Sequence, residues 1–327
     1  MSQQIQVLSF DTVIDRLIAG KKPYHSNYRA MYSSWYGGIV TDPQLMLVPL
    51  DDHLVHRGDG IFEAFLCLGG NMYLLDRHLD RLERSASFAQ LRLPVSRSEL
   101  VNILKITVRA SGLSDAMIRI FVSRGPGGFS TDPYEPPASQ LYVMVAAAKF
   151  PPAERYLKGA TLATSRIPVK KSYFANVKSC NYLPNVMMHK EALDSGVDFT
   201  VSVDEQGHLA EGSTANIALV TTERVLLTPR FERILQGTTV SRVLELAETL
   251  VAEGELAKLA QADITPQQAY QAAEILMCGT TLDTMPVVTY DGHAIGDGQP
   301  GPICRRLRDL LREDQQHGDG VLTGIND

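Results

Sequence analysis

Two residues between Asn176 and Asn216 have the types needed for carbonyl chemistry. Lys178, in NVKSCNYLPNV, stands just ahead of an expected helix, and Glu211, in LAEGSTAN, lies in a small-residue turn after a strand pair. A lysine amine attacks an aldehyde only when partly neutral, so burial or nearby cations must lower its pKa. A carboxylate beside a ring nitrogen keeps that nitrogen protonated and lets the ring accept electrons from a carbanion. Each residue alone has a plainer reading, since most lysines are surface lysines and a turn glutamate is ordinarily exposed.

Two further turns, Gly237-Thr238-Thr239 and Gly279-Thr280-Thr281, offer backbone N–H groups and hydroxyls of the kind that hold a phosphate, assisted by the dipole where a helix begins. One such tripeptide is common. Two in the same half of a chain begin to form a site.

The elements that must position these residues follow from periodicity. Val13 to Ala19 is a short amphipathic segment ended by Gly20, and LMLVPLDDHLVHRGDGIFEAFLCLGGNMYLLD reads as strands joined by a hairpin at Gly69-Gly70-Asn71. Leu75, Leu79, Leu82 and Ala86 fall at helical spacing, with Asp76 as N-cap and Pro94 as stop. Arg77, Arg81 and Arg84 ride on that helix, and the pattern does not choose among them. A helix from about Ser98 to Ala110 precedes the strands AMIRIFVSRG and QLYVMVAAA, which flank the Gly/Pro-rich loop GPGGFSTDPYEPP. The second half runs strand, Lys178, helix from about Tyr182 to Asp194, strand VDFTVSV, Glu211 and hairpin ANIALVTTERVLLTP. A helix from about Val240 to Glu253, strand EILMCG, hairpin VVTYDGHAIGDG and a helix over Pro302 to Arg312 complete it.

A chain of 327 residues favours two domains. KFPPAERYLKG is the linker candidate, which predicts an N-terminal α/β domain over 1–150, a linker over 151–157 and a C-terminal domain over 158–327. A formal charge of -6, without a dense basic run, argues against nucleic acid as a partner, because phosphate neutralisation needs a basic face. No apolar run is long enough for a membrane span, and MSQQIQVLSFD is not a secretion signal. Cys67, Cys180, Cys278 and Cys304 form no CxxC pair and read as reduced thiols, with Cys180 a small packing group, which predicts a cytoplasmic protein. Asp51, Asp52, His53 and His56 read as solvated loop or pocket wall rather than a metal cluster, since adjacent residues of a strand point apart. No metal is expected. His78, next to Arg81, reads as a helix-packing or supporting residue.

The strings VKSCNYLPNV, EGSTANI, LQGTT and GTTLDTMPV, in that order, resemble the class IV (fold type IV) pyridoxal-phosphate enzymes. MYSSWYGGIVTDP, PLDDHLVHRGDGIFEA, LDRHLDRLERSAS and PRFERILQGTT are similar to the plant-type D-amino-acid aminotransferase branch. The resemblance spans nearly the whole chain. It implies a mixed α/β fold of two domains, the smaller N-terminal and the larger a pseudo-barrel, with pyridoxal 5′-phosphate as cofactor and a homodimer, for which the aromatic-rich residues 28 to 39 offer a contact where their own pattern also reads as packed loop. It implies Lys178 as the residue joined to the cofactor aldehyde and Glu211 as the carboxylate at the ring nitrogen. Tyr182 would stand near the phenolic oxygen, Arg81, Thr238, Thr239 and Thr280 around the phosphate, and Leu235 on the ring. Arg57, Phe62, Arg124 and Thr281 would face the substrate.

The chain also departs from that pattern. Val240 follows the phosphate threonines where relatives often carry an arginine. Phe129 and Thr131 occupy places where the bacterial D-amino-acid aminotransferases have a carboxylate-trapping arginine and histidine, so Arg57, with Arg124, is the replacement. The implied reaction is a ping-pong exchange of an amino group between an amino acid, of D or branched-chain type, and a 2-keto acid. Its alternatives are a lyase of the aminodeoxychorismate type that releases pyruvate and a non-catalytic cofactor-binding sensor. D versus L preference stays open, because reversing it only exchanges which pocket takes the carboxylate.

Overall fold

In the computed structural model, which describes residues 5–170 and 172–327, the strands form two sheets. The first holds, in order, Leu322–Gly324, Asn71–Tyr73, Gly60–Leu68, Ala116–Ser123, Gln140–Ala147, Tyr28–Ser33 and Gly38–Val40, paired antiparallel throughout. One face packs on helices Leu75–Phe88 and Arg97–Ser111 through Phe65, Leu79, Leu82, Leu104 and Ile118. The first helix buries Leu75, His78, Leu79, Arg81, Leu82, Ser85 and Ala86, a stripe at the three- and four-residue spacing that defines one helix face. The second begins with a capping box in which Ser96 and Glu99 satisfy each other's backbone N–H.

The second sheet runs Lys258–Ala262, Val225–Pro229, Asn216–Val220, Glu274–Gly279, Asp283–Tyr290, Ala160–Thr164, Phe199–Val203 and Leu209–Gly212, with His293–Ala294 added to Asp283–Tyr290. Leu209–Gly212 pairs back onto Asn216–Val220 at Glu211 and Asn216, so six of these strands close on themselves. This is the pseudo-barrel, filled by Leu162, Val201, Ile217, Met277 and Met285. Helices Thr238–Ala252 and Pro302–His317 cover its outside through Val243, Ala247, Leu307 and Leu311.

Several expectations need correction. The helix expected to start behind an Asp76 cap begins at Leu75, with Leu74 before it in the left-handed region at φ 54°. Within KFPPAERYLKG, Ala153–Lys158 is helical and buries Tyr156. The helix expected over Pro302 to Arg312 continues to His317, and the chain then returns, as Leu322–Gly324, to the edge of the first sheet. No helix among the described residues is long and apolar enough to cross a membrane.

Candidate active site

The two sheets meet around a cavity of about 530 Å³ lined by Phe62, Arg81, Lys178, Tyr182, Glu211, Leu235, Thr238, Thr239, Thr280 and Thr281. Each wall follows from a local rule. Strand Gly60–Leu68 alternates, so Phe62 and Ala64 face the cavity while Ile61, Glu63 and Phe65 turn toward the helix layer and are fully buried. Its partner Ala116–Ser123, in register Phe62 to Phe121 and Ala64 to Arg119, sends Met117, Arg119 and Phe121 to the same cavity.

Lys178 is carried by a segment laid along the edge of strand Gly60–Leu68. Phe62 N–H donates to the Lys178 carbonyl at 2.9 Å, Cys180 N–H donates to the Gly60 carbonyl at 2.8 Å, and Lys178 N–H donates to Ser85 Oγ at 3.2 Å. These bonds fix the backbone and leave the side chain to reach inward, where Nζ lies 4.5 Å from the Phe62 ring centroid and 5.8 Å from that of Tyr182. Desolvation, and then the charge of Arg81, push the ammonium down to about 8. Glu211, at the barrel seam, is pushed up to about 7 by desolvation against the opposing pull of Lys178 and Lys170. Near neutral pH this pair therefore holds a lysine that readily gives up its proton and a carboxyl that readily takes one.

The other end is built for an anion. Helix Thr238–Ala252 starts here, with Gly237 as N-cap, so its free N–H groups point into the cavity. Gly237 is required by a close approach, since a Cβ there would lie 2.0 Å from Asn216 Oδ1. Arg81 stands beside this start. Its Nε and Nη2 donate to Glu63 at 2.7 and 2.8 Å, and Nη1 donates to the Gln236 carbonyl at 3.1 Å. Burial raises the Glu63 pKa, but Arg81, by charge and hydrogen bonds, and His78 together bring it to about 2. Leu235 accepts from Asn216 Nδ2 at 3.0 Å and is thereby held in the cavity wall. Thr280 and Thr281 form the turn between Glu274–Gly279 and Asp283–Tyr290, closed by Leu282 N–H donating to Gly279.

Of the twelve residues singled out in the sequence, ten line this one cavity, coming from six separate segments. Arg57 and Arg124 do not. The Arg57 guanidinium donates to the carbonyls of Phe129 and Ser130, and Arg124 pairs with both oxygens of Asp59 at 3.0 Å while also donating to Ala89 and Gln90. Both are spent on backbone and carboxylate that hold the Gly/Pro-rich loop in place. Of the four residues expected as solvated loop or pocket wall, Asp51 and His56 are partly exposed and the other two are buried. Asp52 is fully buried, accepting from Ser123 and Tyr142 hydroxyls, and His53 is buried beside it.

Two cations in the cavity went unremarked in the sequence, Arg119 and Lys170. Arg119 had a signal, as the one charge in the apolar run AMIRIF. Lys170, whose Nζ lies 5.1 Å from the Tyr182 ring centroid and whose pKa burial lowers, had none beyond its place in a loop.

A closed barrel whose seam presents a carboxyl, facing a lysine held against the other sheet and an anion-binding helix start, defines a fold and site class, and comparison with known proteins gives it a family. The model of amino-transferase class IV matches residues 60–290. A D-amino-acid transaminase, chloroplastic, of Arabidopsis thaliana is 41% identical over 318 residues, covering 97% of this chain and 84% of that protein. A branched-chain-amino-acid aminotransferase of Pseudomonas aeruginosa is 29% identical, covering 84% of this chain and 90% of that one. The crystal structure of a T.th. branched-chain amino acid aminotransferase with pyridoxamine 5′-phosphate superposes with a TM-score of 0.84 at 25% identity, covering 91% of this chain and 99% of that chain. The chain belongs to the class IV aminotransferase family, and it is an enzyme.

Proposed function

We propose that this chain is a pyridoxal 5′-phosphate-dependent transaminase acting on D-amino acids, with branched-chain amino acids as the second substrate class, and on 2-keto acids. The observation that carries the reading is the convergence of Lys178, Glu211 and the Arg81–Thr238 end on one cavity. That donor set fits the cofactor: cationic and N–H donors for a phosphate at one end, a carboxyl for a ring nitrogen at the other, and an amine of lowered pKa between them. The preference for D-amino acids is supported by the name of the 41% identical relative.

When bound, the cofactor supplies an aldehyde for the incoming amine and a ring that accepts the electron pair released at the substrate Cα. Arg81, Thr238, Thr239 and Thr280 hold its phosphate, and Leu235 packs on its ring. Glu211 keeps a proton at the ring nitrogen, a task its raised pKa suits. Lys178 would be the residue that meets the aldehyde, and its amine, of lowered pKa, would serve as the base that takes and returns the substrate proton. Phe62 and Tyr182, their rings edge to face at 5.0 Å, keep water from that amine. Arg119 and Lys170 bind the substrate carboxylate, as the two cavity cations besides Lys178 and Arg81 among the described residues. Thr281 borders the same region.

The reading also takes residues 1–150 and 158–327 as domains, the C-terminal tail returning to the first. It includes a homodimer through residues 28 to 39, where Trp35 and Tyr36 are about half exposed. A cytoplasmic location rests on the four unpaired cysteines. Lys178→Ala tests the core of the proposal. Pyridoxal 5′-phosphate added to the native protein should gain a near-visible absorbance that the variant lacks, with turnover lost; the same spectrum in both would refute it.

A further inference from the structure

The hydroxyl of Thr238 is turned away from the anion it is meant to hold. Glu63, ionised and buried, can only accept, and besides Arg81 it receives His78 Nδ1 at 2.7 Å, so that nitrogen carries a hydrogen. Burial lowers the His78 pKa, the charges of Arg81 and Lys178 add to this, and Glu63 opposes it; the net effect leaves a neutral ring with a lone pair on Nε2. Thr238 Oγ1 lies 3.2 Å from that nitrogen, so the threonine donates its only hydroxyl hydrogen inward. The cavity then meets oxygen lone pairs, which repel a phosphate oxygen. Arg81 Nη2 lies 3.5 Å from the same Nδ1, longer than the 2.7 Å contact to Glu63 that orients the ring, and the Phe65 ring centroid is 5.1 Å away.

Resting on the phosphate site proposed above, we infer that the cofactor phosphate is gripped with uptake of one proton by His78. A solvent proton adds to Nε2, the new Nε2–H donates to Thr238 Oγ1, and the freed threonine hydroxyl turns to donate to a phosphate oxygen. One N–H bond forms, no other covalent bond changes, and the phosphate remains a dianion. The incoming negative charge favours an imidazolium beside Arg81 and Lys178 that the empty site disfavours. His78 is a positioning residue that acts through Thr238, and Glu63 orients it.

The test uses pyridoxine 5′-phosphate, which carries the phosphate but no aldehyde to react with Lys178. Calorimetric titration of the cofactor-free full chain at pH 7.5, in two buffers of different ionisation enthalpy, counts the protons taken up. The native protein should take up about one proton more than either His78→Gln or Thr238→Val, and phosphorus NMR should find the bound phosphate dianionic. The two variants break the relay from opposite ends, so one that folds poorly does not stop the test. Equal proton counts in native and variant protein, or a bound phosphate that has itself taken the proton, would overturn the inference while leaving the phosphate site standing. Failure of pyridoxine 5′-phosphate to bind at all would remove the site and the inference together.

Discussion

The two ends of the cavity are built differently. At the end where helix Thr238–Ala252 starts, Glu63 fixes Arg81 and His78, His78 meets Thr238, and Arg81 reaches the Gln236 carbonyl. The two helices that carry these groups are tied again outside, where Arg77 donates to both oxygens of Glu245 at 2.6 and 2.8 Å. At the opposite end Arg119 is exposed and Lys170 Nζ stands over the face of Tyr182 and within the field of Glu211. A buried hydrogen-bonded network constrains where its side chains stand, whereas a long exposed side chain such as Arg119 adapts to what enters. Under the proposed function the contrast is between a part that sets the chemistry and a part that selects the substrate.

Replacement of Lys178 by alanine attacks the boundary between the two ends, and turnover should fall by at least about 10⁴-fold, measured as initial rate with saturating amino and keto acids. Glu63→Gln breaks the rigid end: removal of one partner from a buried charged set costs about 3–5 kcal/mol, to be read as a lowered denaturation midpoint together with weaker cofactor binding. The same group gives a pH signature. Its folded pKa is about 2 against an ordinary 4.5, so the stability it contributes is present above about pH 4.5 and is lost as pH falls toward 2; the variant should show a flatter acid limb.

Arg119→Ala and Lys170→Ala should leave cofactor binding intact and lower kcat/KM by roughly 10- to 100-fold each, the scale of a lost charge-assisted hydrogen bond. A matching loss of cofactor affinity would erase the distinction between the ends. The smallest effect is expected for Arg57→Ala, within about 1 kcal/mol in stability and about threefold in KM, because its bonds are to an exposed loop.

The same division governs what the chain made legible. Lys178, Glu211 and the two Gly-Thr-Thr turns stood out because small residues around a lone reactive type leave a local trace, and the stripe Leu75, Leu79, Leu82 fixed the helix that carries Arg81. The choice among Arg77, Arg81 and Arg84 needed the sheet, since only Arg81 faces Glu63. That Arg57 and Arg124 lie outside the cavity was not legible for a related reason: an arginine beside a glycine-rich loop looks the same whether it grips a ligand or, like Arg57, the loop's carbonyls or, like Arg124, Asp59 and the carbonyls of Ala89 and Gln90. Closure of the barrel at Glu211 and Asn216 is a long-range pairing with no local signature. Lys170 depends on how a loop folds across Tyr182, which no periodicity encodes.

The central claim, amino-group transfer through Lys178 in this cavity, is tested most directly by half-reactions. Protein loaded with pyridoxal 5′-phosphate is mixed in turn with D-alanine, D-glutamate, L-leucine and L-valine, and the Lys178-dependent absorbance is followed. It should be discharged without any acceptor, fastest by a D-amino acid, and restored by a 2-keto acid. Persistence of that absorbance with every amino acid, or continuous pyruvate release with no acceptor present, would contradict the account.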